Sequence, residues 1–181
     1  MSWYEVMLTP VGALFVGGSD AGLHRVEFMD SAHDLERFTH RLVGDAHDAP
    51  GRDADAARAV VEQLGAYFAG ERFDFDLPLA PRGTPFQRLV WAALSTIPPC
   101  ETRSYGEIAA AIDRPTASRA VGAANGRNPM AIVIPCHRVI GANGTLTGYG
   151  GGLDRKRWLL EHERAAAGAA VAGQIGRRAR A

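Results

Sequence analysis

Residues 84–94 read TPFQRLVWAAL, and they carry a clear start signal for a helix. Thr84 and Gln87 have the spacing of a capping box, in which each side chain accepts a backbone N–H that the first turn leaves free. Pro85 takes the first helical position, where its missing N–H does no harm. The stretch predicts an amphipathic helix that opens a helical half of the chain. Its apolar face consists of Phe86, Leu89, Val90, Ala93 and Leu94.

A second capping box follows, formed by Ser104 and Glu107, and it predicts a short helix through Ile112. Residues 113–115, Asp-Arg-Pro, end this helix before another begins near Thr116. Two short helices and a tight turn are the pattern of a helix-turn-helix, whose second helix enters a groove of DNA. Because most helix pairs of this size bind nothing, the spacing alone leaves a purely structural pair open.

Upstream, residues 1–28 alternate apolar and polar positions, with turn signals at 9–12 and 19–22. This pattern predicts three antiparallel strands. Residues 31–55 are polar and predict one or two helices with a loose connection. Apolar residues at helical spacing then predict a helix over residues 57–70.

Residues 73–77 alternate apolar and acidic side chains like one more short strand, and a linker follows. We therefore predict a small α/β (α+β) N-terminal domain with an antiparallel sheet over residues 1–80. A mostly helical domain that contains the helix-turn-helix should span residues 81–165. Residues 166–181 are mostly alanine, glycine and arginine without clear apolar periodicity, which predicts a disordered tail.

The two halves of the chain differ in charge. Residues 1–80 contain 6 arginines against 14 acidic residues, and residues 81–181 contain 14 basic against 6 acidic residues, so the halves carry −8 and +8. A basic lobe is typical of phosphate binding, because cationic side chains release counterions from a duplex. A dipolar surface without a nucleic acid partner fits the charges equally well.

Cysteine content and hydropathy indicate the compartment. Cys100 and Cys136 are the only cysteines in 181 residues, and neither lies in a CxxC or Cys/His spacing. This argues against a disulfide framework and a structural zinc, so we expect no metal and a reducing, cytoplasmic location. The N-terminus lacks a basic region followed by an apolar run, and no stretch of about 18 apolar residues occurs, so we expect neither export nor a membrane span.

Pro135-Cys136-His137-Arg138 is the segment with the most chemical information. A thiol is nucleophilic as the thiolate, which a base and positive or donor-rich surroundings favour, and His137 and Arg138 could supply both. The tetrapeptide alone fits a small buried cysteine beside a solvated basic pair equally well. Neighbouring side chains of an extended chain also point to opposite sides, so a water could be needed between the thiol and the imidazole.

Residues 134–139, IPCHRV, resemble the active-site signature of the O6-alkylguanine-DNA alkyltransferases, and other segments occur in the order that this family has. The resemblance is strong over residues 81–163 and loose over the N-terminal half. It implies repair of double-stranded DNA that carries O6-alkylguanine, by transfer of the alkyl group to the protein's own cysteine. The other matching segments are 83–87, 90–91, 104–109, 119–122, 128–129, 149–152 and 158–160.

By this resemblance, Cys136 is the alkyl acceptor, a water held by His137 removes its proton, and Glu163 orients the imidazole. A histidine paired with a carboxylate is a base that works near neutral pH. The resemblance also implies that Asn128 holds the turn beside the active-site strand. From the residues alone, Glu163 would be a solvated residue of a final helix, and Asn128 would start a turn before Pro129.

The resemblance further implies a pocket for the extruded guanine, formed by Tyr105, Val139, Tyr149 and Gly150, with Tyr105 also acting in catalysis. Without it, both tyrosines would be assigned to core packing. Gly150 stands where many members have serine, so it offers only a backbone N–H. Small residues let a helix approach a narrow groove, and an arginine fills the space that the extruded nucleotide leaves. The implied DNA-binding residues are Arg119, Ala120, Gly122 and Arg138.

The expected function is direct, irreversible repair by a monomer that needs no cofactor and acts once, because a thioether offers no route back to the thiol. One alternative is a non-catalytic, alkyltransferase-like lesion-binding protein, but those proteins replace the cysteine that this chain retains. Another alternative is a Cys/His hydrolase, but the sequence has no evident oxyanion-hole motif, which such an enzyme needs. We interpret Cys100, at a position where glycine or another turn residue is usual, as an inert bystander.

Overall fold

The computed structural model describes residues 1–43 and 49–178. Its N-terminal half contains a sheet of the order β3-β2-β1-β4. The first three strands are antiparallel neighbours, as the sequence predicts, and β4 adds a two-residue parallel pairing to the edge of β1. The strands are β1 (Ser2–Thr9), β2 (Gly12–Ser19), β3 (Gly22–Met29) and β4 (Gly51–Arg52).

Two helices, α1 (Ala32–Val43) and α2 (Ala54–Phe68), pack against this sheet. Asp53 caps α2, because its side chain accepts the N–H groups of Asp55 and Ala56, both at 3.0 Å. The buried face of α2 consists of Ala57, Val60, Leu64 and Tyr67. Of the polar segment 31–55, residues 44–48 lie outside the described residues.

The strand predicted over residues 73–77 is wrong. Gln63 instead holds this extended stretch, donating to the carbonyl of Asp76 and accepting its N–H, both at 2.9 Å. The linker pairs with β3 immediately afterwards through the Leu23–Leu79 bridge. The close approach needs Gly22, whose φ is 123, because a side chain there would overlap the carbonyl of Pro78.

The C-terminal half is mostly helical. Both predicted capping boxes are confirmed, at Thr84 and at Ser104. The two helices predicted as a helix-turn-helix pack against each other and against α3. A two-stranded parallel sheet lies beside them. The elements are α3 (Pro85–Leu94), β5 (Arg103–Ser104), α4 (Tyr105–Ala111), α5 (Ser118–Asn125), β6 (Val139–Ile140) and α6 (Leu153–Arg178).

The C-terminal tail differs from the sequence prediction. Residues 166–178 continue α6 rather than forming an irregular segment, and residues 179–181 lie outside the described residues. The physical reason is the alanine content, since alanine is the strongest helix former and needs no buried face to sustain a helix. Within the described ranges, no helix combines the length and the apolar character that a membrane span requires.

The two halves share one hydrophobic core. A single buried cluster contains Leu14 and Val26 of the sheet together with Val90, Met130 and Leu159 of the helical half. Backbone hydrogen bonds join the halves as well: Val26 donates to the carbonyl of Pro129 and accepts from the N–H of Ala131, both at 2.8 Å. The sheet therefore fixes the segment that leads directly to Cys136.

Candidate active site

Cys136 begins a 3-10 turn, Cys136–Arg138, rather than lying on the active-site strand that the resemblance implies. Asn128 holds the segment before it, because its amide nitrogen donates to the carbonyl of Ile134 at 2.8 Å and its carbonyl accepts the N–H of Met130 at 3.0 Å. The chain reverses at Ile132, whose φ is 72. These contacts give Cys136 a defined position on a compact, buried turn.

The thiol of Cys136 is 5% exposed, and burial raises its pKa to about 11. Three groups oppose this effect and favour the thiolate. The amide nitrogen of Asn128 donates to Sγ at 3.0 Å, the ammonium of Lys156 is close enough to act on the thiolate, and backbone N–H groups of the turn add further donors. The resting group is therefore a thiol that requires a base, in surroundings that stabilise the anion once it forms.

His137 and Glu163 form a buried pair. Nε2 of His137 lies 2.8 Å from Oε1 of Glu163, and both side chains are 0% exposed. Burial alone would raise the pKa of Glu163, but hydrogen bonds from His137 and Arg138 lower it to about 2, so the carboxylate is ionised. Burial lowers the pKa of His137, which favours the neutral imidazole. Its Nδ1 is buried and bonds to no protein atom in the described part of the chain.

Arg138 is corrected from a DNA-binding residue to a buried structural one. It is 4% exposed, and its Nε and Nη2 donate to Glu163 at 3.0 and 2.8 Å, while Nη1 donates to the carbonyl of Ile97 at 2.7 Å. The carboxylate of Glu163 pairs with this guanidinium inside the protein, so the side chain does not reach the surface.

Lys156 is a buried cation that acts on the sulfur of Cys136. It is 0% exposed, and its Nζ donates to the carbonyls of Val139 at 2.5 Å and of Thr147 at 2.6 Å. Burial lowers its pKa to about 8. The ammonium thus connects β6, which follows Cys136, to the loop that carries Tyr149.

A cavity opens beside Cys136, and both halves of the chain contribute to its wall. Tyr149 and Gly150 line it together with Asn128, as the sequence predicts for a common site. The hydroxyl of Tyr149 and Oδ1 of Asn125 are buried there, and neither has a hydrogen-bond partner among the residues that the structure describes. A Cβ on Gly150 would meet only the carbonyl oxygen of Gly126, at 3.8 Å. The N-terminal half adds Val26, Glu27, Phe28, Asp30, Arg37 and Phe38.

The structure does not bring Tyr105 and Val139 into this wall. The hydroxyl of Tyr105 donates to the carbonyl of Thr147 at 3.1 Å, and Val139 is fully buried with its carbonyl bound to Lys156. Gly122 packs beneath Tyr105, because a Cβ there would lie 3.7 Å from the ring. The hydroxyl of Tyr105 and the backbone carbonyl of Val139 thus support the loop of Tyr149, directly in the first case and through Lys156 in the second.

Arg119 and Ala120 lie on the exposed side of α5. Gly122 is half-buried on the same helix. The arginine is therefore free of the core and close in sequence to the residues that pack against Tyr105. This places two of the predicted DNA-binding residues on the surface of the second helix of the pair.

Sequence reasoning missed three residues of this site: Lys156, Asn125 and Tyr67, whose hydroxyl donates to Oε1 of Glu163 at 3.1 Å. Tyr67 has the helical spacing of a core residue, and Asn125 lies in a short helix beside small residues, so neither carries a distinctive signal. Lys156 does carry a distinctive signal, because it is the only lysine among the 20 lysine and arginine residues of the sequence. In a chain that otherwise uses arginine for its basic side chains, this lysine stands where a compact, three-donor ammonium fits between two carbonyls.

Cys136 is a buried thiol on the wall of a cavity, and the His137–Glu163 pair lies next to it in the chain. This arrangement is typical of a site with a cysteine nucleophile. Two family models match the chain: the ribonuclease-like domain of 6-O-methylguanine DNA methyltransferase at residues 3–81 and the DNA binding domain of the same enzyme at residues 85–165. The chain belongs to the 6-O-methylguanine DNA methyltransferase family, the family that its motifs resemble.

Individual relatives agree with this assignment. A methylated-DNA–protein-cysteine methyltransferase of Mycolicibacterium paratuberculosis is 52% identical over 161 residues, which cover 89% of this chain and 92% of the relative. A methylated-DNA–protein-cysteine methyltransferase of Methanosarcina acetivorans is 49% identical over residues that cover 89% of this chain and 97% of the relative. The crystal structure of Mycobacterium tuberculosis O6-methylguanine methyltransferase superimposes with a TM-score of 0.79 at 48% identity, covering 92% of this chain and 94% of that one. The crystal structure of M. tuberculosis OGT in complex with DNA superimposes with a TM-score of 0.76 at 47% identity. The match covers 90% of this chain and 93% of that one.

Proposed function

We propose that this protein repairs double-stranded DNA by moving an alkyl group from O6 of guanine to Sγ of its own Cys136, once per molecule. The observation that carries the proposal is the placement of Cys136 on a cavity, with the buried His137–Glu163 pair next to it in the chain. The protein acts as a monomer, without a cofactor, in the reducing cytoplasm. Both cysteines are free, which is consistent with that compartment.

Transfer begins with the thiol proton. A water bound to Nδ1 of His137 takes the proton from Sγ and passes it to the imidazole, while Glu163 stabilises the imidazolium. The thiolate then attacks the alkyl carbon. The S–C bond forms as the C–O6 bond breaks, the electron pair moves into the purine, and a proton restores neutral guanine. The product S-alkylcysteine carries no acidic leaving group, so the protein stays alkylated.

The extruded guanine occupies the cavity beside Cys136. The unpaired hydroxyl of Tyr149 donates to the purine, and Gly150 offers its backbone N–H; both make the base a better leaving group. Tyr105 and Val139 contribute by holding the loop in place, through Thr147 and Lys156. Tyr105 also crowds the phosphate that must rotate.

The exposed side of α5 meets the duplex, with Arg119 filling the space of the extruded nucleotide and Ala120 and Gly122 allowing close approach. Arg119→Ala should slow repair of a methylated duplex about tenfold or more and leave reaction with the free modified base within about twofold, because only the duplex must be unstacked. Arg157→Ala, which removes the same charge from the exposed side of α6, is the matched control. Equal slowing on duplex and free base would assign Arg119 to folding or chemistry instead.

Incubation with a duplex that carries O6-methylguanine, followed by measurement of the intact mass, tests the proposed function. A gain of one methyl group, absent with unmodified duplex, is the expected result. Tight binding of the methylated duplex without a mass gain would instead identify a lesion-binding protein. Release of a hydrolysed product without modification of the protein would identify a hydrolase.

A further inference from the structure

A tyrosine hydroxyl from the N-terminal half contacts the buried His137–Glu163 pair. The hydroxyl of Tyr67, from α2, donates to Oε1 of Glu163 at 3.1 Å across a sequence separation of 96 residues. Both side chains are 0% exposed. Oε1 is also the atom that binds Nε2 of His137, so the tyrosine and the imidazole share one carboxylate oxygen.

Packing alone does not explain a hydroxyl at this position. The ring of Tyr67 lies among the rings of Phe68, Phe73, Phe75 and His162, with centroids 5.4 to 6.0 Å away. A phenylalanine would fill the same space without a polar atom to bury. Burying a hydroxyl without a partner is unfavourable, so the hydrogen bond to Glu163 is the reason that the group is tolerated.

We propose that Tyr67 is a positioning residue for alkyl transfer, which holds Oε1 of Glu163 in place and weakens its attraction for a proton on His137. The inference rests on the proposed role of His137 and Glu163 as the base. Each donor to Oε1 draws negative charge away from it, so the imidazole gains a proton less readily. Tyr67 thereby helps to keep His137 neutral in the resting protein, and its hold on Oε1 keeps the carboxylate in the position from which it stabilises the imidazolium that forms when His137 accepts the proton of Cys136.

The other groups around this pair come from several elements, and they set the background against which Tyr67 acts. Arg138 of the 3-10 turn donates to Glu163, and Lys156 of α6 disfavours the imidazolium. The backbone N–H of Cys100 donates to Oε2 of Glu163 at 3.2 Å, on the oxygen that Tyr67 does not touch. Loss of the tyrosine hydroxyl therefore leaves the carboxylate paired but changes the oxygen that faces His137.

Tyr67→Phe tests the proposal, with Tyr4→Phe of β1 as the matched control. Single-turnover transfer from O6-methylguanine duplex should fall about tenfold at neutral pH in the first variant, the loss expected for one hydrogen bond to a charged group, and stay at the parent rate in the second. The acid limb of the pH–rate profile should move to higher pH, because the imidazole binds its proton more tightly. NMR titration of labelled histidine should show the pKa of His137 raised in Tyr67→Phe.

The NMR titration does not need activity, so it separates this inference from the proposed function. A parent protein that transfers no methyl group would overturn the proposed function, whatever the titration gives. A parent that transfers, with Tyr67→Phe matching it in rate, pH profile and His137 titration, would overturn the role of Tyr67. A lower rate at every pH, with an unchanged profile and titration, would reduce Tyr67 to a packing residue and also overturn the proposal.

Discussion

The turn of Cys136 and the turn of Cys100 both carry a free thiol, and both are joined to Glu163. Cys136 is connected to it through His137, whereas Cys100 bonds to it directly, with its N–H 3.2 Å from Oε2 and its Sγ donating to the backbone carbonyl at 3.2 Å. Burial raises the pKa of both thiols. Near the same carboxylate, we propose one cysteine as the nucleophile and assign the other no part in transfer.

The difference lies in the charges that face each sulfur. Asn128 and Lys156 favour the thiolate of Cys136. The negative Glu163 beside Cys100 raises the pKa of that thiol further, and Arg138 and Arg164 offset part of this increase. Only the first sulfur also lies on the cavity wall with Tyr149 and Gly150. Both thiols therefore need a base to ionise, and Cys136 is the one that has an imidazole next to it in the chain.

The largest expected effect separates the two cysteines outright. Cys136→Ala should abolish transfer and leave binding to the methylated duplex largely intact, because the acceptor and the exposed groups on α5 are different residues. Cys100→Ala should transfer like the parent. Mass measurement and a gel-shift titration provide the two readouts. Loss of transfer in both variants, or in neither, would contradict the assignment of Cys136 as acceptor.

A smaller effect on the transfer rate is expected when the positive charge of Lys156, which acts on Cys136, is removed. Lys156→Met should raise the pKa of Cys136 and slow transfer about tenfold at neutral pH, because the thiolate loses a nearby cation. The gap between parent and variant should narrow above about pH 8, where Lys156, with its pKa lowered by burial to about 8, loses its charge. Arg157→Met at the exposed neighbouring position is the control. A constant gap at every pH would assign Lys156 to loop structure alone.

The smallest effect concerns the backbone of the second turn. Cys100 has φ 66, a left-handed conformation that glycine adopts without strain and other residues do not. Cys100→Gly should raise the free energy of unfolding by about 0.5 to 1 kcal/mol, less whatever the weak Sγ contact contributes, with transfer unchanged. Urea denaturation measures this. A destabilised variant would show that the thiol contact outweighs the backbone strain.

Local signals made much of the fold predictable. The capping boxes at Thr84 and Ser104 act within four residues of sequence, so the helices they start are where the sequence predicts them. The strand predicted at residues 73–77 failed because alternation does not specify a partner, and here a side chain, Gln63, occupies the backbone groups. Tertiary hydrogen bonding cannot be read from periodicity.

The residues of the site also fall into those that the sequence predicts and those that only the tertiary fold reveals. Cys136 and Glu163 were predictable through the family signature, since spacing alone leaves Glu163 on the surface. Arg138 was grouped with the residues expected to bind DNA, and only the fold shows its buried carboxylate partner. Tyr67 and Lys156 were missed for the converse reason: their roles depend on partners 96 residues away and on two carbonyls that only the tertiary fold brings together.

Stoichiometry and the site of modification test the central claim most directly. With excess O6-methylguanine duplex, repaired guanine should stop at one per active protein molecule, because the thioether of Cys136 has no leaving group and Cys100, held by Glu163, offers no activated second thiol. Peptide mapping should place one added methyl group on Cys136. Product that continues to form linearly far beyond equimolar, or a plateau with the methyl group on another residue, would contradict the account.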